Sequence, residues 1–329
     1  LNKKDLSRKP QIVVIGGGTG LPVILNNLKQ QDVEITAIVN VADDGGSSGR
    51  LSKGINAVPP GDIRNVLTSL SNLSKEELKL FQYRFKNNDS FLSGHSLGNL
   101  VIAALSEMKG DINTAVEFLS SMMKITGKVY PATNERLQLC AEFQDGTQMS
   151  GEYEITYADK KIKRVWVECF DKKSIPEADE QVIQAILNAD EIVLGPGSLF
   201  TSILPNLMIN NLGKAVIKSK AKIIYICNIM TQLGETDGFT DADHVAVLNR
   251  HMHCNFIDTV IVNTEPVPVE KIDYQKFNEI CKPVKHDQLS LEKMGCNTIV
   301  GNFLQINNHG VFHNGRLVAE QLVDLLTRK

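Results

Sequence analysis

The chain has 329 residues, and its 35 Lys and Arg against 38 Asp and Glu give a formal net charge of -3. That length suits one large α/β domain with ample apolar material for a core, and the charge balance excludes the strongly basic surface that a nucleic-acid partner requires. No apolar run approaches the roughly 18 residues of a spanning helix, and the leader LNKKDLSRKP lacks the apolar centre of a signal peptide, so the expectation is a cytoplasmic protein with no membrane span.

From the N-terminus, QIVVIGGGTG runs a short, continuously apolar strand into glycine-rich sequence, the pattern of a strand buried on both faces of a parallel sheet. Leu21, Ile24, Leu25 and Leu28 then share one helical face, and a second strand over 34–39 completes a βαβ unit. Residues 40–61 are polar and glycine-rich and read as a long loop, which in a compact domain is usually functional. Helical patterns follow over 63–73, 75–85, 97–108 and 112–123. Between 136 and 169 apolar and polar residues alternate around the turn signals Asp145-Gly146 and 158–160, which predicts an inserted antiparallel meander. The βα rhythm then returns: a helix over 177–188, a strand over 191–194, a helix after Ser198, strands over 222–227 and 259–262, and a last helix over 317–326. The prediction is a single domain over 1–329 of the α/β class. It is a doubly wound, mostly parallel Rossmann-like sheet with an inserted helical block and a small antiparallel β-meander at about 136–170, with ligands at the carboxyl ends of its strands.

The first glycine turn departs from the dinucleotide fingerprint. Gly16, Gly18 and Leu21 fall on its three glycine places, and Asn40 stands where an acidic residue would hold a ribose. A nicotinamide enzyme is therefore disfavoured and no NAD is required. Phosphate binding at Gly17, Gly18, Thr19 and Gly20 survives, because it needs only backbone N–H groups and a helix N-terminus. A second strand-to-helix turn, EIVLGPGSLFTS, offers Gly195, Gly197 and Ser198, with the hydroxyls of Thr201 and Ser202 in the first turn of its helix. Two such turns are expected to grip one diphosphate.

Between them, VADDGGSSGRL supplies Asp43 and Asp44 directly after the second strand, and PPGDIRN adds Asp62 and Asn65. Carboxylates beside phosphates point to a hard cation such as Mg²⁺ on Asp43 and Asp44. His95 and Asn99 of GHSLGN and Asn228 of NIMTQLGET are further ligand-binding candidates at element ends, against the ordinary reading that they satisfy backbone groups. The six cysteines include no CxxC pair and read as free thiols. HMHC, from His251 to Cys254, is metal-like but lacks the companion pair of a structural zinc site.

Taken together, IGGGTG, VADDGGSSGRL, PPGDIRN, GHSLGNL, GPGSLFTSILPNL and NIMTQLGET resemble the YvcK family, the bacterial gluconeogenesis factors, which are related to the 2-phospho-L-lactate transferase CofD. The resemblance runs from about Gln11 to the last helix. It implies a Rossmann-like fold and a cytoplasmic protein that binds a UDP-sugar such as UDP-N-acetylglucosamine and is needed for cell shape and wall synthesis on gluconeogenic carbon sources. By the same resemblance, Gly17–Gly20 and Gly195–Ser198 match the family's glycine turns. Asp43-Asp44 match the acidic pair that serves metal and catalysis in the transferase branch, and Asp62 falls where that branch carries an acid after Pro. That branch precedes its acidic pair with Thr-Gly, whereas Val41-Ala42 stand here, a departure that bears on turnover and not on nucleotide binding. Two readings stay open. One is a non-enzymatic sensor read by a regulatory protein partner, with a homo-oligomer expected. The other is a metal-dependent phosphotransferase using Asp44 and Asp62.

Overall fold

The structure is a computed structural model that describes residues 8–55, 58–86, 92–277 and 280–327. Strand β1 (Gln11–Gly16) carries Ile12, Val13, Val14 and Ile15, none more than 1% exposed, because helices cover both faces of the sheet it belongs to. It leads through Gly17–Thr19 into helix α1 (Gly20–Leu28), whose buried face is the Leu21, Ile24, Leu25, Leu28 stripe. Strand β2 (Glu34–Val39) then lies parallel to β1, with Val14 opposite Ala37.

The central sheet has seven parallel strands in the spatial order Asn297–Gly301, Thr259–Asn263, Lys222–Ile226, Glu191–Leu194, β1, β2 and Lys128–Pro131. From β1 the chain builds outward in one direction, and from Glu191–Leu194 it builds outward in the other. The order therefore reverses between β1 and Glu191–Leu194, and a doubly wound sheet opens its ligand crevice at such a switch point. The two glycine turns are the turns that leave these two neighbouring strands.

The predicted long loop over 40–61 is a correction. It contains helix α2 (Gly46–Ile55), entered through Gly46 at φ +48°, a left-handed conformation that glycine adopts without strain. Leu51 is its buried apolar anchor, too sparse a signal for hydrophobic periodicity to reveal. Helix α3 (Gly61–Leu70) follows, and the helical block continues with Lys75–Gln82, Leu97–Lys109 and Ile112–Met122.

The insertion is antiparallel as expected, with Leu137–Phe143 in the middle, flanked by Gln148–Ser150 and Ile162–Cys169. Its middle run leaves the sheet early and forms a short helix, Glu152–Thr156. Gly151 turns the chain at φ +106°, and the Tyr153 N–H of that helix's first turn donates to Asp44 Oδ1 at 3.0 Å, a tertiary cap supplied from the mouth of the central sheet. Small pieces in the last hundred residues escaped prediction because each is a strand of only three to five residues without a continuous apolar run: Asn297–Gly301 on the sheet edge, the pair Met230–Gln232 and Ile280–Pro283, and the hairpin Leu304–Asn307 with Gly310–His313. All six cysteines are unpaired. His251 of the HMHC stretch accepts from the Val165 N–H through Nε2 and pairs through Nδ1 with Val247 O. No helix among the described residues is long and apolar enough to cross a membrane.

Candidate functional site

The two turns touch. A Cβ built on Gly197 would stand 3.1 Å from Gly17 O and 3.3 Å from Ser202 Cβ, so the second turn lies directly on the first with little room for a side chain at Gly197. Gly18, at φ +70°, holds the left-handed conformation that the first turn needs. Gly18, Thr19 and Gly20 from one side and Gly197, Ser198, Thr201 and Ser202 from the other line a single cavity of about 340 Å³, the lower end of the size range for small-ligand sites.

The two helix starts differ in how their donors are used. At α1 the N-cap residue Thr19 makes no side-chain cap bond, which leaves first-turn N–H groups directed at the cleft. At the second turn Ser198 Oγ accepts from Thr201 N at 3.1 Å. The chain then makes one wider turn over Leu199–Ile203, with Ile203 N donating to Ser198 O, a geometry that recurs at functional sites. Asn228 is a brace: its Nδ2 donates to Gly197 O at 2.9 Å and its Oδ1 accepts from Gly197 N at 3.3 Å. It fixes the second turn through both ends of its amide while also lining the cavity.

Asp62, the first-turn acid of α3, is part of the first glycine turn. Gly18 N donates to Asp62 Oδ2 at 2.7 Å, and a Cβ on Gly17 would overlap that same oxygen. One of the N–H groups expected to face phosphate is thus already held by a carboxylate. Burial, and then the Asp43 charge, push the Asp62 carboxyl up to about 7, against the pull of the Gly18 N–H and Arg64. Around it gather Asp43, which accepts from Gly45 N at 2.8 Å, Asp44, which caps the insertion helix, and Glu152 from that helix. Burial raises the Asp43 carboxyl, with the Asp44 charge adding to it. Glu152 is raised by burial and by Asp43, Asp62, Glu235 and Asp44 in that order, and its Oε2 is buried without a hydrogen-bond partner among the described residues.

The opposite wall carries a carboxylate that the sequence did not single out. Glu235 accepts from Ser198 Oγ through Oε2, and its Oε1 lies 3.3 Å from Thr156 Oγ1 and 3.5 Å from Thr201 Oγ1. It sits inside NIMTQLGET, but nothing in that stretch separates it from any other loop acid.

His95, Asn99 and Asn65 lie elsewhere. His95 Nδ1 pairs with Ser47 Oγ at 2.8 Å and Asn99 Nδ2 donates to the same oxygen at 3.1 Å. Arg64 donates to Ser96 Oγ, Asn99 Oδ1 and Asn65 Oδ1. Burial, and then the charges of Arg50 and Arg84, lower the His95 imidazole, and burial followed by Arg84 lowers Arg64 to about 10. This buried network ties α2, α3 and Leu97–Lys109 together behind the acidic residues. None of its three predicted ligand residues is on the cavity lining.

The acidic residues suit a hard cation in one respect: a buried oxygen on Glu152 has no hydrogen-bond partner among the described residues, and burial and neighbouring carboxylates raise both Glu152 and Asp43, so a positive charge there would be favourable. Among the described residues no three His, Cys, Asp or Glu side chains form a ready ligand set. Mg²⁺ held by one or two carboxylates takes its other ligands from water and phosphate oxygens.

A family model described as 2-phospho-L-lactate transferase CofD matches residues 12–304. The chain belongs to this CofD family. Within it, the chain is 48% identical to the gluconeogenesis factor of Bacillus subtilis over 322 residues, 98% of this chain and 99% of that one. It is 50% identical to a Streptococcus pneumoniae relative over 323 residues, 98% of this chain and 99% of the other. The crystal structure of protein BH3568 from Bacillus halodurans superposes with a TM-score of 0.91 at 42% identity, covering 96% of this chain and 100% of that one.

Proposed function

We propose that the chain binds a nucleoside-diphosphate sugar of the UDP-N-acetylglucosamine type at the switch point. On this reading it acts as a cytoplasmic regulator of cell shape and wall synthesis during growth on gluconeogenic carbon sources, read by a protein partner and forming a homo-oligomer. The observation that carries the ligand class is the contact of Gly197 on Gly17, which aims two helix starts at one cavity; convergent N–H dipoles favour a compact dianion. The regulatory half rests on the name of the Bacillus subtilis relative and on Val41-Ala42, which replace the Thr-Gly of the transferase branch. The decisive measurement is calorimetry of the chain with UDP-N-acetylglucosamine, UDP, GDP and NAD, with and without Mg²⁺. The UDP-sugar should bind best and NAD should not bind. NAD binding as well as the UDP-sugar would sink the reading.

One observation favours metal-dependent phosphoryl transfer as a second reading: Asp43, Asp44, Asp62 and Glu152 crowd the same glycine turns. In that case Asp43 and Asp44, with Glu152 beside them, would hold the cation and Asp62 would face the phosphate turn. The cation would screen charge on the transferring group. Metal-dependent consumption of a nucleotide, lost in Asp44→Asn, would support this reading over the sensor.

A further inference from the structure

One wall of the cavity is aromatic and apolar, and a polar side chain beside it has its protonation pattern fixed by the fold. Phe277 and Phe312 meet edge to face, with centroids 6.0 Å apart at 83°. Gly310 leaves room for Phe277, since a Cβ there would run into the ring. Val311 and Ile280 extend this wall. Beside it, His313 also lines the cavity, and its Nε2 lies 3.1 Å from the backbone oxygen of Cys227. A carbonyl oxygen only accepts, so Nε2 carries the proton and Nδ1 carries the lone pair. Nδ1 has no hydrogen-bond partner among the described residues.

We infer that Phe277, Phe312 and His313 form the nucleobase subsite, and that His313 Nδ1 selects bases whose ring edge presents an N–H donor, uracil and guanine, over those that present a lone pair there, cytosine and adenine. This rests on the proposed diphosphate site, which sets the anchor from which the base reaches the aromatic end. Aromatic walls accept any base face, so discrimination falls to a polar atom beside them, which His313 Nδ1 supplies. Burial holds the imidazole down at about 4, so the ring does not convert to a two-donor imidazolium near neutrality. A site built to accept a hydrogen bond rejects a ligand that brings a second acceptor, because both lone pairs are then buried without a proton.

The test is calorimetry on the full chain with UDP, CDP, N3-methyl-UDP, GDP and ADP. UDP should bind roughly tenfold or more tightly than CDP and N3-methyl-UDP, and GDP more tightly than ADP by a similar factor. In His313→Leu the UDP to CDP ratio should fall to within about twofold. Should that variant fail to fold for want of its bond to Cys227, the ligand series on the unaltered chain still decides. Equal binding of UDP and CDP, with both abolished by Gly197→Val, would overturn the base assignment alone. Absence of binding by every diphosphate would overturn it together with the site.

Discussion

Asp62→Asn tests the electrostatic account of the glycine turn. In the folded chain the Asp62 carboxyl is raised from 3.8 to about 7, chiefly by burial. Below pH ~4 folded and unfolded states are both protonated at this position. As pH rises from there to about 7 the unfolded chain gives up the proton and the folded chain keeps it, so stability falls with rising pH and the loss is complete above about 7. At about 1.4 kcal/mol per pKa unit the whole loss is at most about 4 kcal/mol, and about 3 of that lies between pH 5 and pH 8. Asn is neutral throughout and keeps an oxygen for the Gly18 N–H. Asp43 and Glu152 shift in the same direction, so the quantity that isolates Asp62 is the gap between variant and parent. Urea unfolding at the two pH values, followed by the single tryptophan, Trp166, and by circular dichroism for coincidence, should show the variant gaining roughly 2–3 kcal/mol on the parent between pH 5 and pH 8. A gap that stays constant to within about 0.5 kcal/mol would mean that Asp62 is ionised in the folded chain at pH 5 and that the burial argument is wrong.

Three further outcomes follow from the same geometry. Gly197→Ala places a methyl group 3.1 Å from Gly17 O; it should weaken UDP binding at least about tenfold and lower stability by roughly 1–2 kcal/mol, measured by calorimetry and thermal unfolding. His95→Ala breaks the bond to Ser47 Oγ; it should cost on the order of 1–3 kcal/mol while leaving UDP affinity within about twofold, and a large loss of affinity at unchanged stability would return His95 to the ligand site. Glu191 is fully buried, has no hydrogen-bond partner for either carboxyl oxygen among the described residues, and is raised by burial to about 8, so Glu191→Gln should remove stability loss between about pH 5 and pH 8 without altering ligand binding, since this residue begins its strand at the opposite end from the cleft.

The parts of this molecule legible in its sequence are those encoded by neighbours in the chain. Ile12–Ile15 followed by four glycines and the Leu21, Ile24, Leu25, Leu28 stripe specify strand, turn and helix within one window, and Glu191–Leu194 before Gly195 does the same. That both turns leave adjacent strands depends only on topology. Helix α2 was illegible because polar side-chain bonds from Ser47 to His95 and Asn99 hold it in place of an apolar stripe. The insertion helix was illegible because its cap, Asp44, lies 109 residues away. Glu152, Glu235 and His313 could not be picked out for the same reason: each becomes distinctive only through partners such as Asp43, Ser198 and Cys227 O, which long-range packing supplies.

On the sensor reading, a ligand acts only through an element that occupies two arrangements and to which it binds with different affinity. The insertion helix Glu152–Thr156 meets the structural requirement better than α2, which the Arg64 network anchors from behind. Its N-terminus hangs on Asp44 and its last residue, Thr156, reaches Glu235 on the far wall, so it spans both halves of the switch point. A cation drawn into the cleft competes for those same carboxylates and a diphosphate competes for the donors they hold, and every such contact changes what holds the helix. Tyr153 in its first turn and Tyr157 just past its end meet with centroids 4.6 Å apart at 45°, each more than half exposed. The bonds that position the cleft acids thus also position these two rings, and a ligand that shifts the former must shift the latter.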